Sequence, residues 1–336
     1  MCPAPTFDTT PESHVCSVAN LRQPKPSTKL GSERYQIIKI TQIKKIIVQT
    51  MKKHSLLPAL AILAIATAGT LLLFAARPVK PAATIPMCHS VDEFAAFAND
   101  PAFQAAHPSP APIELDHQGS MVEFPVEGGP NGRGYFMKAH GNSDKYLLLF
   151  HEWWGLNDYI KKEVSVWSHA LGINVLAVDL YDGKIATTAE EAGNLMKAND
   201  PERSSAIILG AAKVLGEKAD FRTMGWCFGG GWSLQAALLL KDKTKGCVMF
   251  YGMPEKDLEK LKGLASDALF IHASQDQWIN DEVVAEFEKN MKAADKTLSV
   301  HRFDANHAFA NPSSPRYNEE AAKAAQAVVR AYLAGK

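Results

Sequence analysis

The chain has 336 residues, equal numbers of basic and acidic side chains, and apolar residues at 46% of its positions. This length and apolar content are enough for a large core, with room for an extension or a second domain. The zero net charge argues against a nucleic-acid partner, as does the lack of a basic helix or of basic residues interleaved with aromatic ones.

The first 77 residues differ in composition from the rest. Residues 1–50 mix Pro, Ser and Thr with Lys and Arg, which predicts a disordered extension. Residues 51–77 open with Met51-Lys-Lys and are uncharged from 56 to 76, close to the roughly 20 residues that span a bilayer. We therefore predict a transmembrane anchor at 56–76, or a signal segment. Either one places the rest of the chain in the periplasm or elsewhere outside the cytoplasm.

Three alternatives for this segment stay open. The small residues Ala66-Thr-Ala68 offer a cleavage site, but apolar residues continue beyond it to Phe74. A buried globular helix is another interpretation of the same run. Met51 is an alternative to Met1 as the start of translation.

Beyond this segment the pattern changes to alternating elements. Pro and Ala are frequent in residues 78–118, which predicts a linker or stalk with one short helical piece at 91–99. Strands are expected at 121–126, 134–138, 146–150, 174–178, 221–224, 246–251, 268–271 and 298–303. Helices are expected at 159–171, 189–198, 204–215, 232–240, 282–292 and 318–333. The alternation predicts an α/β domain over residues 119–336, with a doubly wound, mostly parallel sheet and an antiparallel N-terminal edge.

A cysteine lies on a glycine-rich turn between a predicted strand and a predicted helix. The stretch Thr223-Met-Gly-Trp-Cys-Phe-Gly-Gly-Gly-Trp232 has the layout of a nucleophile elbow, with Cys227 in place of serine. Glycines permit the tight turn, and the N–H groups and dipole of the helix start favour a thiolate. The alternative is a buried core cysteine, the common fate of a free Cys.

Three other strand ends carry chemically useful residues. Ligands of such sheets bind beyond the carboxyl ends of the strands, where Glu152, Asp276 and His307 are expected. Cys227, Asp276 and His307 supply the nucleophile, the carboxylate and the imidazole that covalent acyl transfer requires. Their order along the chain is that of the α/β-hydrolases.

Four motifs give the domain a family resemblance. Dienelactone hydrolases, a family of cysteine α/β-hydrolases, are similar to this chain at Gly225-Trp-Cys-Phe-Gly-Gly230, His151-Glu-Trp-Trp-Gly-Leu-Asn157, Asp179-Leu-Tyr181 and Asn306-His-Ala-Phe309. The resemblance implies an α/β-hydrolase fold and an ester or lactone hydrolase like carboxymethylenebutenolidase. It also implies that Glu152 contacts the resting nucleophile and helps to form the thiolate. The backbone N–H groups of Trp153 and Phe228 would then form the oxyanion hole.

One departure from the family concerns the substrate. Members that act on dienelactone hold its carboxylate with two arginines, and the matching places here carry Asp182-Gly-Lys184 and Asn311. Lys184 could still act as a point charge, but a bidentate clamp is missing. Trp154, Tyr181 and Lys184 are the expected substrate-binding residues, in a broad aromatic pocket. The expected substrate is a small ester or lactone that need not be dienelactone.

Other functions compete with hydrolysis. A membrane-tethered binding module could use a hydrolase scaffold without its chemistry. A redox sensor would exploit the same low thiol pKa of Cys227, although no resolving cysteine is near in sequence. A phosphate-binding loop is the weakest alternative, because Gly229-Gly-Gly231 is not followed by Lys and Ser or Thr. No cofactor is expected, and no metal, since the 11 histidines show no paired ligand spacing.

Overall fold

The computed structural model describes residues 90–116 and 118–336, which belong to one compact unit, Ile85–Lys336. The predicted disordered extension at 1–50 and the predicted membrane or signal segment at 51–77 lie outside the described residues. Among the described helices, none combines the length and the apolar character needed to cross a bilayer.

Eight strands and nine α-helices make up the described part of the chain. The strands are β1 Ser120–Phe124, β2 Gly132–Met137, β3 Lys145–Phe150, β4 Asn174–Asp179, β5 Asp220–Trp226, β6 Thr244–Phe250, β7 Ala268–Ala273 and β8 Leu298–Phe303. The helices are α1 Ser90–Ala95, α2 Pro101–Ala106, α3 Asp158–Leu171, α4 Ala189–Lys197, α5 Pro201–Leu215, α6 Phe228–Leu240, α7 Leu258–Lys262, α8 Asp281–Ala293 and α9 Glu319–Ala334. Short 3-10 turns occupy Ala96–Asn99 and Lys241–Lys243.

The strands form a single sheet in the order β1-β2-β4-β3-β5-β6-β7-β8. β1 and β2 are antiparallel to their neighbours, and the strands from β4 to β8 run parallel. β4 and β7 are buried at every position, which explains their unbroken apolar runs, because both faces of the sheet are covered by helices. The prediction of a mostly parallel α/β sheet with an antiparallel N-terminal edge is confirmed.

The two element ends beside Cys227 differ from the sequence prediction. β5 continues to Trp226, two residues past the predicted end, and α6 begins at Phe228 instead of residue 232. Glycines score poorly in both strand and helix patterns. Here they are required by close backbone packing: a Cβ on Gly225 would lie 2.0 Å from the carbonyl oxygen of Gly229. The strand and helix therefore meet at the cysteine itself.

Residues 90–107, which we name the N-terminal cap, fold back onto the domain. The cap consists of α1, the 3-10 turn and α2, and it buries the rings of Phe94 and Phe103. Asp100 begins α2 by accepting a hydrogen bond from the N–H of Ala102 at 2.8 Å. The frequent Pro and Ala residues of 78–118 predict a stalk with one short helical piece in this region. The phenylalanines give it apolar side chains to bury, so it packs as part of the compact unit.

Candidate active site

The elbow holds Cys227 in a strained conformation at the start of α6. Its backbone φ of 55° is unusual for a residue with a side chain. The first turn of α6 lies so close to the sheet that a Cβ on Gly229 would stand 2.2 Å from the carbonyl oxygen of Phe150. The N–H of Cys227 donates to the carbonyl of Phe250 at 3.0 Å. Close packing of glycine backbone thus presents the thiol at the carboxyl end of the sheet.

Asp276 and His307 form a buried hydrogen-bonded pair. The Nδ1 atom of His307 lies 2.5 Å from Oδ2 of Asp276, and both side chains are fully buried. The backbone N–H groups of Trp278 and Ile279 donate to Oδ1 of Asp276 at 2.9 and 3.0 Å. Burial acts to raise the pKa of Asp276, but the charge and hydrogen bond of His307, together with the two N–H donors, lower it below its ordinary value. The carboxylate therefore stays ionised and holds the imidazole with Nδ1 as the donor.

The opposite nitrogen of that imidazole is available as a base. Nε2 of His307 is buried and has no hydrogen-bond partner among the described residues. The structure therefore has no hydrogen bond between Nε2 of His307 and the thiol of Cys227.

Two backbone N–H groups converge on the sulfur of Cys227. They belong to Phe228, the first residue of α6, and to Trp153, which follows β3. Burial raises the pKa of the thiol well above its ordinary value and the charge of Glu152 raises it further, while the two N–H donors oppose the rise. The resting site therefore favours the thiol, not the thiolate that a helix start by itself would favour, because desolvation outweighs the donors.

Glu152 is buried close enough to Cys227 for its charge to raise the pKa of the thiol. Burial raises the pKa of Glu152 to about 8, a hydrogen bond from Nδ2 of Asn311 opposes the rise, and the charge of Glu163 adds to it. Glu152 is therefore mostly protonated at neutral pH. Its Oε1 atom finds no partner in the described part of the chain. The side chain borders a pocket of about 80 Å³ whose other lining residues include Tyr159, Ile160, Lys162, Glu163, Trp226, Asn311 and Pro312.

A model of the dienelactone hydrolase family matches residues 133–334. The chain belongs to the dienelactone hydrolase family. Carboxymethylenebutenolidase 1 of Cupriavidus pinatubonensis is 25% identical over 221 residues, which cover 61% of this chain and 92% of that protein. Protein usf of Aquifex pyrophilus is 28% identical over 205 residues, covering 57% of this chain and 87% of that protein. The protein is a hydrolase that resembles carboxymethylenebutenolidase.

A solved structure supports the fold of this dienelactone hydrolase family member. The dienelactone hydrolase-like promiscuous phosphotriesterase from metagenomic libraries superposes with a TM-score of 0.56 at 19% identity, covering 64% of this chain and 97% of that one. At this identity the likeness concerns the fold alone. The described chain has the α/β-hydrolase fold, and the N-terminal cap lies outside the residues that the family model matches.

The predicted substrate-binding residues of this family member differ in their burial. Tyr181 is buried 5.4 Å from the ring of Phe228, and its pKa is raised well above its ordinary value by burial and by the charge of Cys227. Trp154 is buried with its ring 5.0 Å from that of Trp153. Lys184 is exposed on the turn after Tyr181. Its role as a point charge toward the substrate stays a prediction.

Sequence patterns do not single out several residues that surround this site. Tyr251 follows β6 with a φ of 37°, and its ring lies 5.0 Å from His307. Trp278 covers His307 from the loop after β7, at 5.7 Å. His107 of the N-terminal cap lies 5.4 Å from the same imidazole. The position of Tyr251 just after an apolar strand is the one signal that could have identified it.

Proposed function

We propose that this protein hydrolyses small esters or lactones through a covalent acyl intermediate on Cys227. His307 moves the protons, and Asp276 holds its imidazole in the required tautomer. The backbone N–H groups of Trp153 and Phe228 stabilise the oxyanion. Family membership supports the hydrolase class, and the arrangement of these five residues supports the roles.

One observation carries the proposal. The backbone N–H groups of Trp153, which follows β3, and of Phe228, at the start of α6, both donate to the sulfur of Cys227. A carbonyl carbon that bonds to this sulfur places its oxygen next to the same donors. Donors arranged in this way lower the barrier by about 3 kcal/mol each. A core cysteine would have no need of donors converging from two separate elements.

Acylation begins with the neutral thiol. When the substrate carbonyl arrives, the thiol proton of Cys227 passes to Nε2 of His307 and the sulfur attacks the carbonyl carbon. The negative charge that develops on the carbonyl oxygen is held by the N–H groups of Trp153 and Phe228. As the tetrahedral intermediate collapses, the bond to the leaving oxygen breaks and that oxygen takes the proton from His307. The acyl group remains on Cys227 as a thioester.

Deacylation repeats these steps with water as the nucleophile in place of the thiol. Nε2 of His307 removes a proton from a water molecule as its oxygen attacks the thioester carbon. The second intermediate collapses, the sulfur leaves, and the proton returns from His307 to Cys227. An ester thus yields a carboxylic acid and an alcohol, and a lactone yields a single hydroxy acid. The enzyme returns to the neutral thiol and neutral imidazole with which it began.

The surroundings of Glu152 favour an uncharged acyl portion. Asn311 donates to Glu152 where dienelactone-hydrolysing members carry an arginine, and Lys184 is exposed. A substrate carboxylate placed here would lack a bidentate arginine partner, and it would meet like charge as Glu163 and then Glu152 ionise, at pKa values of about 7 and about 8. Substrates without a carboxylate on the acyl side should therefore have the higher kcat/KM.

The test compares two cysteine variants of the full-length chain. We expect Cys227→Ala to lower kcat/KM for p-nitrophenyl acetate and for simple enol lactones by on the order of 10³-fold or more. Cys247→Ala is the matched control, since Cys247 is also a buried free cysteine but lies within β6, 3.6 Å from Oγ of Ser233. Unchanged turnover in Cys227→Ala would overturn the proposal. Wild-type protein that labels with iodoacetamide but hydrolyses none of these substrates would favour the binding or redox alternatives.

A further inference from the structure

The N-terminal cap packs directly on the proposed base. Phe94, Phe103 and His107 lie with ring centroids 6.2, 5.9 and 5.4 Å from that of His307. Phe103 is central in this packing, because its ring also lies 5.0 Å from each of the indoles of Trp153 and Trp278. His107 of the cap also lies near all three groups, 5.2 Å from Trp153, 6.0 Å from Trp278 and 5.4 Å from His307, but Phe103 is nearer to both indoles.

A hydrogen bond fastens the cap over the site. The indole N–H of Trp278 donates to Oδ2 of Asp100 at 2.9 Å. Trp278 itself belongs to the loop that supplies Asp276, so the cap is tied to the proposed acid and base. With the cap in place, Cys227 is 1% exposed and His307 is 0% exposed. Any substrate must therefore fit beneath or beside the cap.

The chemistry of acyl transfer decides which part of the substrate meets the cap. The imidazole delivers its proton to the leaving oxygen, so the alcohol portion of an ester must lie against His307. The acyl portion stays bonded to Cys227 and can extend toward the pocket lined by Glu152 and Trp226. The cap and that pocket thus face different halves of the substrate.

We propose that the N-terminal cap selects the leaving group, and that Phe103 is the residue that limits its size. The inference rests on the proposed acyl-transfer function. It assigns to this enzyme esters of small, uncharged alcohols and small lactones, whose leaving oxygen carries little bulk. The cap presents no charged group to His307: Phe94 and Phe103 are apolar. Burial, together with the charge of His307, lowers the pKa of His107 to about 3, so its ring is neutral.

The experiment separates the two halves of the substrate. One series keeps the acetyl group and enlarges the alcohol, from methyl to phenyl to 2-naphthyl acetate. The other keeps p-nitrophenol and lengthens the acyl group from acetate to hexanoate. In Phe103→Ala of the full-length chain, we expect the ratio of kcat/KM for 2-naphthyl acetate to that for methyl acetate to rise about tenfold or more over wild type. The ratio of hexanoate to acetate should change less than about twofold.

Phe97→Ala is the matched control. Phe97 packs within the cap, 5.5 Å from Phe94 and 6.0 Å from Phe103, but makes no ring contact with His307 among the described residues. We expect both ratios to stay at their wild-type values in this variant. Phe103→Leu serves as a milder second variant, with a smaller rise in the naphthyl ratio, should Phe103→Ala lose its circular dichroism signal.

The outcomes also separate this inference from the proposed function. If wild-type hydrolysis depends on Cys227 but neither Phe103 variant changes the alcohol ratio, the cap is not the selector. Equal changes in the alcohol and acyl ratios overturn it too. If hydrolysis survives in Cys227→Ala, the proposed function itself fails. A faster reaction of Cys227 with iodoacetamide in Phe103→Ala would support the cap as the barrier over the site.

Discussion

Three buried acids in the site respond differently to similar burial. Asp276 accepts hydrogen bonds from His307 and from two backbone N–H groups, and its pKa is lowered. Glu152 accepts only from the neutral amide of Asn311, and burial raises its pKa to about 8. Cys227 has two backbone donors, but burial and the charge of Glu152 still raise its pKa well above its ordinary value. The number and charge of the donors, more than depth, decide which group is ionised.

Removing the charge of Asp276 tests its proposed role. We expect Asp276→Asn to lower kcat/KM for p-nitrophenyl acetate by on the order of 10³- to 10⁴-fold, because the amide cannot hold His307 with Nδ1 protonated. Asp304→Asn is the matched control, since Asp304 is exposed on the loop that carries His307 and accepts from Nε2 of Gln275 at 2.7 Å. A loss of less than about tenfold in Asp276→Asn would contradict the role.

Glu152 offers a prediction about pH. As pH rises through about 8, Glu152 becomes an anion, and this charge raises the pKa of Cys227. Glu152→Gln removes the anion and keeps the hydrogen-bonding shape. The thiol of the variant should therefore ionise at a lower pH, seen as a downward shift in the midpoint of the iodoacetamide alkylation rate between pH 6 and pH 11. Slower alkylation of the variant at pH 7 would instead mean that the Glu152 carboxylate acts as a base for the thiol, as the family resemblance implies.

At the scale of elements, the junction of β5 and α6 explains why the elbow is rich in glycine. The helix begins one residue after Cys227 and lies against the backbone of neighbouring strands. A Cβ on Gly230 would stand 2.8 Å from the carbonyl oxygen of Phe250. A Cβ on Gly229 would stand still closer, 2.2 Å from the carbonyl oxygen of Phe150. Motif comparison alone locates this turn in the sequence. The close backbone contacts supply its physical reason.

A single methyl group in this junction should be costly. We expect Gly229→Ala to lower the free energy of unfolding by about 2 kcal/mol or more, because the new Cβ would lie 2.2 Å from backbone that cannot move aside easily. It should also reduce esterase activity by displacing the N–H groups next to Cys227. Gly335→Ala is the control, as its Cβ would meet its nearest neighbour at an ordinary 3.6 Å. Urea unfolding of both variants measures the difference, and equal stabilities would contradict the packing argument.

At the scale of the whole molecule, the sequence predicts the sheet and the residues that lie at its carboxyl edge. Apolar runs identify strands covered on both faces, and the order of Cys227, Asp276 and His307 follows the fold. The sequence does not predict that Cys227 rests as a neutral thiol, because its pKa depends on neighbours from other loops, such as Glu152. Nor does the sequence predict that the N-terminal cap packs on the domain. Composition describes a stretch by its commonest residues, while packing depends on a few aromatic rings.

The cap also leads to a prediction about the stability of the domain. A chain that begins at Ile85 keeps the cap, and one that begins at Gly119 loses the buried rings of Phe94 and Phe103. Burial of two phenylalanine side chains contributes about 3 kcal/mol or more, so the shorter chain should unfold at a temperature roughly 10 °C lower. Differential scanning calorimetry of the two chains checks this. Equal unfolding temperatures would show that residues 90–118 behave as the stalk that their composition predicts, since a stalk contributes nothing to the core.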